Sequence, residues 1–226
     1  MEKNSNFVVY AVRLVISEKV IKQLSKYKES MITSRDVLKE YIAADKSRNI
    51  VNCSNPYLLI EPFLSLLGVV RESFYVRKYL RILRKLEYYT NVKSLFGVGK
   101  LKKIYYTMMW KRLSNKYGIY IHPNTVGKGL YIPHFNGGIQ LNCISMGDFC
   151  SVSSGVVIGN KGSQDNRAII GNNVELTIGS KIIGKVVIGN NVIVAPNSVV
   201  IKDVPDNAIV SGIPAKLINK HNQLES

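Results

Sequence analysis

The sequence predicts an α+β protein in which a helical N-terminal domain, residues 1–118, precedes a parallel β-helix with an extruded loop, residues 119–226, that ends in a polar tail. Three observations carry this reading. First, Ile170, Leu176, Ile182, Ile188, Val194 and Val200 recur every six residues without a miss, and four positions after each of the first five stand Val174, Ser180, Val186, Val192 and Ser198. A period of six with aliphatic and small residues at fixed offsets is the pattern of three short strands per triangular coil, stacked so that the aliphatic column fills the prism. Second, the first half instead carries apolar residues at helical spacing. Third, charge divides at the same place: residues 1–120 hold 23 Lys/Arg against 9 Asp/Glu, residues 121–226 only 8 against 6.

The helices come first in the chain. Ser34 is an N-cap before Asp36 and the stripe Val37, Tyr41 and Ala44. A longer helix is expected from Glu72 to Tyr89, with Val76, Tyr79, Leu83 and Leu86 on one face and Arg77, Arg81, Arg84 and Lys85 crowding another. That basic face suits an anionic membrane or an acidic glycan. Phe96-Gly97-Val98-Gly99 reads as a break, after which Lys102 to Lys116 is basic and aromatic up to Tyr117-Gly118.

In the second half the six-residue phase extends backwards through Met146, Val152 and Ile158, with Ile144, Cys150 and Val156 in the small-residue phase. The Gly-Asn-Asn steps at 171–173 and 189–191 suit sharp corners, because Gly and Asn tolerate positive φ. Gln164 falls where an aliphatic residue is due, inside the polar stretch Asn160–Ala168, so that stretch is expected to leave the prism as a loop. About four coils result.

With 46% hydrophobic and 20% charged residues in 226, the chain can bury a core. The apolar run Phe7 to Ile16 is broken by Arg13 and is too short to span a bilayer, so neither export nor a transmembrane helix is expected from it. Three cysteines, Cys53, Cys143 and Cys150, suit a reducing compartment. A cytoplasmic location follows, with peripheral contact at the inner face of the membrane. The N-terminal charge attracts polyanions, but nucleic acid is not an expected partner, since the basic character stops where the hexads begin.

One stretch invites chemistry. In 129-GLYIPHFNGG-138 a single imidazole, His134, stands among glycines, an aromatic and a proline with no charged neighbour. It keeps six-residue phase with Val152 and Ile158, which would make it an inward rung; as a free imidazole it would be a base that works near neutral pH. His122, in an entry turn, and His221, in the polar tail, are poorer candidates.

Ile121-His122-Pro123, Gly127-Lys128-Gly129-Leu130, His134, the polar loop, the hexad run and the closing Gly212-Ile213-Pro214-Ala215-Lys216 together resemble the left-handed β-helix acyltransferases, and among them the serine acetyltransferase branch. The resemblance covers most of residues 119–219. Glu40-Tyr41-Ile42-Ala43-Ala44-Asp45-Lys46, Leu83 to Tyr89 and Asn142 look like serine-acetyltransferase-like proteins associated with capsule and polysaccharide synthesis. The resemblance implies a left-handed coil, a homotrimer, acetyl-CoA as donor, and His134 as general base. It further implies donor-binding groups at Thr177, Gly179, Ala195, Lys202 and Lys216, and acceptor-binding groups at Asn142 and Arg167. No metal is implied, since a trimeric zinc site needs three prism histidines and only His134 is well placed.

The departures from that family bear on the acceptor. Serine acetyltransferases carry an aspartate directly before the histidine and another beside the histidine-proline pair; Pro133 and Tyr120 stand there in this chain. Without those carboxylates a free amino acid loses its ammonium partners. The expected activity is therefore O-acetylation of a hydroxyl on an acidic, capsular or lipid-linked glycan, the alternatives being a serine O-acetyltransferase of cysteine biosynthesis and an inactive β-helix scaffold.

Overall fold

The structure, a computed structural model, describes residues 31–50, 60, 61, 63, 64, 71–92, 97–163 and 166–220. The chain forms two compact units, Met1–Met31 and Ile32–Ser226, and every described residue but Met31 lies in the second. Phe7–Ile16, Cys53, Phe96, Gln164 and His221 lie outside the described residues. Three helices described here, α1 (Arg35–Arg48), α2 (Glu72–Asn91) and α3 (Gly97–Tyr117), precede thirteen short strands. None of the described helices is long and apolar enough to cross a membrane.

Ser34 caps α1 as its sequence requires, its hydroxyl accepting from Val37 N at 3.2 Å. On α2 the apolar stripe is buried at Val76, Tyr79, Leu83 and Leu86. The opposite face is not the open basic surface that the spacing suggests. Arg84 is wholly buried, and Arg77 is nearly so, paired with Glu61 and donating to Asn49 O at 3.0 Å. Helical periodicity reports which residues share a face, not which faces a neighbouring element covers, and here Arg77 and Arg84 are covered while Arg81 stays exposed. The break read at residues 96–99 falls slightly earlier, since the preceding helix ends at Asn91 and the glycines at 97 and 99 already belong to α3.

From Ile119 the chain winds into a three-sided prism of parallel strands. One face is β1 (Ile119–Ile121), β2 (Ile139–Leu141), β5 (Val157–Gly159), β8 (Lys181–Ile183) and β11 (Val199–Val200). A second is β3 (Ser145–Met146), β6 (Ile169–Ile170) and β9 (Val187–Ile188). The third is β4 (Ser151–Val152), β7 (Glu175–Leu176), β10 (Ile193–Val194), β12 (Ala208–Gly212) and an antiparallel β13 (Ala215–Lys220). Met146, Val152, Ile158, Ile170, Leu176, Ile182, Ile188 and Val194 are all wholly buried. Each contributes about 1.5–3 kcal/mol by leaving water, so a polar run cannot hold a rung. Ile170 faces Ile188, eighteen residues on. Pairs that straddle residues 160–168, such as Met146 and Ile170 or Ile158 and Ile182, are twenty-four apart. Six residues have thus been extruded at one corner with the rungs on either side left in register.

The Asn-rich corner behaves as its composition predicts, with one change of reason. Asn173 and Asn191 take φ of 53° and 55° and join Asn207 in a side-chain ladder. Gly171, by contrast, is required by crowding, since a Cβ there would lie 2.5 Å from Gly189 O.

Candidate active site

His134 lies on the edge where the third face turns into the first. Along that edge the next coil takes six residues from Val152 to Ile158, whereas Ile132 to Leu141, which are level with them, takes nine. The three extra residues lift His134 off the prism. Its side chain is 74% exposed, so it is not an inward rung. The phase that would have put it inside is lost in this longer corner and the short step from Leu141 to Met146, and Gln140, in the same nominal phase, is exposed too.

The segment is held on both sides. Ile132 and Phe135 are buried, Phe135 against Tyr117 with ring centroids 5.6 Å apart. From α1, Asp45 accepts from Leu130 N at 3.1 Å, Asn49 accepts from Ile132 N at 3.1 Å, and the Asn49 amide donates to Leu130 O at 2.8 Å. Gly137 N donates to Ser154 Oγ at 2.6 Å, and a Cβ on Gly137 would collide with that hydroxyl. The histidine therefore stands on a fixed base.

Glu72, the first residue of α2, faces the ring. Its Oε2 is 3.1 Å from His134 Nδ1, and its Oε1 accepts from the Asn136 amide. A carboxylate only accepts, so the contact suits the tautomer with the proton on Nδ1 and leaves Nε2 as the ring's acceptor. The first turn of a helix favours a negative group, which keeps Glu72 in that role. No sequence signal marked Glu72, because its 62-residue separation from His134 is bridged only in the fold. Where the resemblance places aspartates, Tyr120 donates its hydroxyl to Asn115 Oδ1 at 3.2 Å and Pro133 offers no side-chain polar group.

The other expected site residues fall on two edges. Thr177, Gly179 and Ala195 continue the His134 edge down the prism, and Lys216, paired with Ser211 one residue beyond the Val194–Val210 rung, closes it. Their backbone N–H groups are spent within the prism: Thr177 on Val194 O, Gly179 on Ser154 O and Ala195 on Val210 O. The carbonyls of Thr177, Gly179 and Ala195 each already accept one hydrogen bond, from Ser180 N, Lys181 Nζ and Ser198 N, so the edge can offer an elongated ligand their second lone pairs, small side chains and the exposed Lys216. Asn142, Arg167 and the exposed Lys202 occupy the next edge, where the first face turns into the second. A pocket of about 340 Å³ beside that edge is lined by Trp110, Tyr120, Ile121, His122 and Gln140. Burial pushes the thiols of Cys143 and Cys150 up to about 12, so neither is a nucleophile at neutral pH.

The fold and its edge define the class, a hexapeptide-repeat parallel β-helix preceded by helices. Among solved structures the chain is similar to the serine acetyltransferase of Neisseria gonorrhoeae, with a TM-score of 0.61 and 22% identity over 84% of this chain and 69% of that one. It is also similar to a serine acetyltransferase in complex with CoA, with a TM-score of 0.56 and 20% identity over 87% and 74%. These likenesses establish the left-handed β-helix. In sequence the chain is 36% identical over 104 residues to the serine acetyltransferase of Synechococcus elongatus, 45% of this chain and 43% of that protein. It is 35% identical over 136 residues to serine acetyltransferase 4 of Arabidopsis thaliana, 59% and 38%. The chain thus spans about half the length, or less, of these curated relatives. No protein-family profile matches it.

Proposed function

We propose that the protein is an acetyl-CoA-dependent O-acetyltransferase with His134 as its general base. The observation that carries this is the Glu72–His134 pair on the prism edge, which leaves Nε2 as the ring's acceptor. Acetyl-CoA supplies an acetyl group activated as a thioester. His134 Nε2 takes the proton of the acceptor hydroxyl as its oxygen attacks, and returns that proton to the departing thiolate. Glu72 fixes the tautomer and steadies the imidazolium. Carbonyls of Thr177, Gly179 and Ala195 hold the donor's amides, and Lys216 its phosphates. A side-by-side homotrimer brings this edge against a neighbour's Asn142, Arg167 and Lys202, so that one site draws on two chains.

The acceptor favoured by the comparisons is the hydroxyl of serine, since the relatives named above are serine acetyltransferases. A glycan hydroxyl is the second reading. It rests on Tyr120 and Pro133 standing in the aspartate positions and on Glu72 being committed to His134 and Asn136. The burial of Arg77 and Arg84 removes half of the basic face that an acidic glycan would have met. Purified protein mixed with acetyl-CoA and serine, neutral sugars or acidic oligosaccharides, with free thiol followed, separates the readings. Release with serine alone supports the first, release with a saccharide the second, and no acceptor-dependent release supports the inactive scaffold.

Within this mechanism Glu72→Gln lowers kcat at least about tenfold while KM for acetyl-CoA holds, because a glutamine amide can face Nδ1 as a donor and stabilise the wrong tautomer. An unchanged kcat removes Glu72 from the site.

A further inference from the structure

Helix α3 is apolar on two faces, and among the described residues only one of them is packed. Tyr106 stacks on Tyr89 of α2 at 5.4 Å and 8°, Leu113 is buried, and Trp110 and Tyr117 pack against the core. Val98, Leu101, Ile104, Tyr105 and Met108 lie at three- and four-residue spacing on the other side and expose 62, 68, 57, 55 and 66% of their surface. At 100° per residue Lys100 and Lys111 border this stripe on one flank and Lys102 and Lys116 on the other, with Arg112 at its C-terminal end. The 21 residues of α3 contain six Lys/Arg and no Asp or Glu.

Apolar side chains that large gain by leaving water, and the charge around them selects what they meet. A second copy of α3 would set one all-basic face against another. A nucleic acid would satisfy the lysines and leave most of the aliphatic stripe wet. An anionic bilayer matches both features, taking the stripe into the acyl boundary and the lysines at the headgroups. We propose that the outer face of α3 binds the surface of an anionic membrane, laying the helix in the interface without spanning it. This surface differs from the α2 face suggested by sequence spacing, and the proposal is independent of the acetyl-transfer reading, because binding is measured without turnover.

The test is flotation of the full-length protein with vesicles of phosphatidylcholine alone and of phosphatidylcholine with about 30% phosphatidylglycerol. Binding is expected only to the anionic vesicles, with release as ionic strength rises from about 0.1 to 0.5 M. The double variant Leu101→Glu/Met108→Glu, altered only at exposed positions, is expected to lose about tenfold or more in partitioning while circular dichroism and light scattering match the parent. Failure of the parent to float at low salt overturns the proposal. So does flotation unchanged in the double variant, which would place the membrane contact elsewhere. Loss of self-association in the double variant would show that a second copy covers the stripe, and retention on single-stranded RNA with none on vesicles would assign the face to nucleic acid; either result overturns it.

Discussion

Replacing His134 with alanine is expected to lower kcat by about two to four orders of magnitude while KM for acetyl-CoA stays within about twofold of the parent. The imidazole moves a proton and holds none of the nucleotide, so its loss falls on the chemical step. The substitution costs little structurally, because the side chain is largely exposed and the segment is anchored by Ile132, Phe135 and the Asp45 and Asn49 contacts from α1. Thermal denaturation should therefore match the parent. Steady-state kinetics with thiol detection measures the effect. A kcat within about fivefold of the parent in a folded variant would show that His134 is not the base.

Arg84→Ala should produce the largest loss of stability of any single change discussed here, about 3–5 kcal/mol, or roughly 6–20 °C in Tm. The guanidinium has no solvent exposure, yet its five donors are all engaged: Nε with Asp45 at 2.8 Å, Nη1 with Glu87 at 3.1 Å and Val126 O at 2.8 Å, and Nη2 with Gly127 O at 2.6 Å and Asp45 at 3.5 Å. Burial opposes the charge, but the two carboxylates outweigh it and hold Arg84 protonated. Alanine would strand both acids in the interior together with two carbonyl oxygens. Glu87 is already pushed up by burial, against the pull of Arg84, so removing Arg84 raises it further. A carboxyl whose folded pKa lies above its unfolded value binds protons more readily in the folded state. The variant's deficit should thus grow as pH rises through the window above the unfolded carboxylate value and shrink as pH falls through it. Arg84→Lys keeps the charge without the planar fork and should fall between the two proteins. Denaturation profiles across pH test this, and equal stability of Arg84→Ala and parent at neutral pH would refute it.

The inward column of the prism was legible because burial acts on every sixth residue and the chain records it directly, from Met146 to Val200. The extruded loop was legible for the complementary reason, since no polar run survives where an aliphatic side chain is due. Two features were not readable. The basic face of α2 looked exposed because helical spacing carries no information about the long-range partners Asp45, Glu61 and the carbonyls of Val126 and Gly127. The inward position that the six-residue count offered as an alternative for His134 is not taken, because the count was carried through a corner that holds three extra residues. That His134 is a candidate base was readable from its neighbours and the resemblance; that Glu72 stands beside it required the fold.

The contacts between helices and prism are unevenly distributed along the axis. Arg84 reaches Val126 and Gly127, Asp45 and Asn49 reach Leu130 and Ile132, Tyr79 accepts from Ile121 N, and Arg48 reaches Phe149 O. All of these grip the first two windings. Beyond them each parallel strand finds its partner sixteen to twenty-four residues away, in the winding just laid down. Assembly of such a chain therefore has a polarity: the helices with the opening windings form a seed, and later windings are added to it one by one, each templated by its predecessor. Synthesis on the ribosome delivers the seed first, so growth of the prism can keep pace with emergence of the chain.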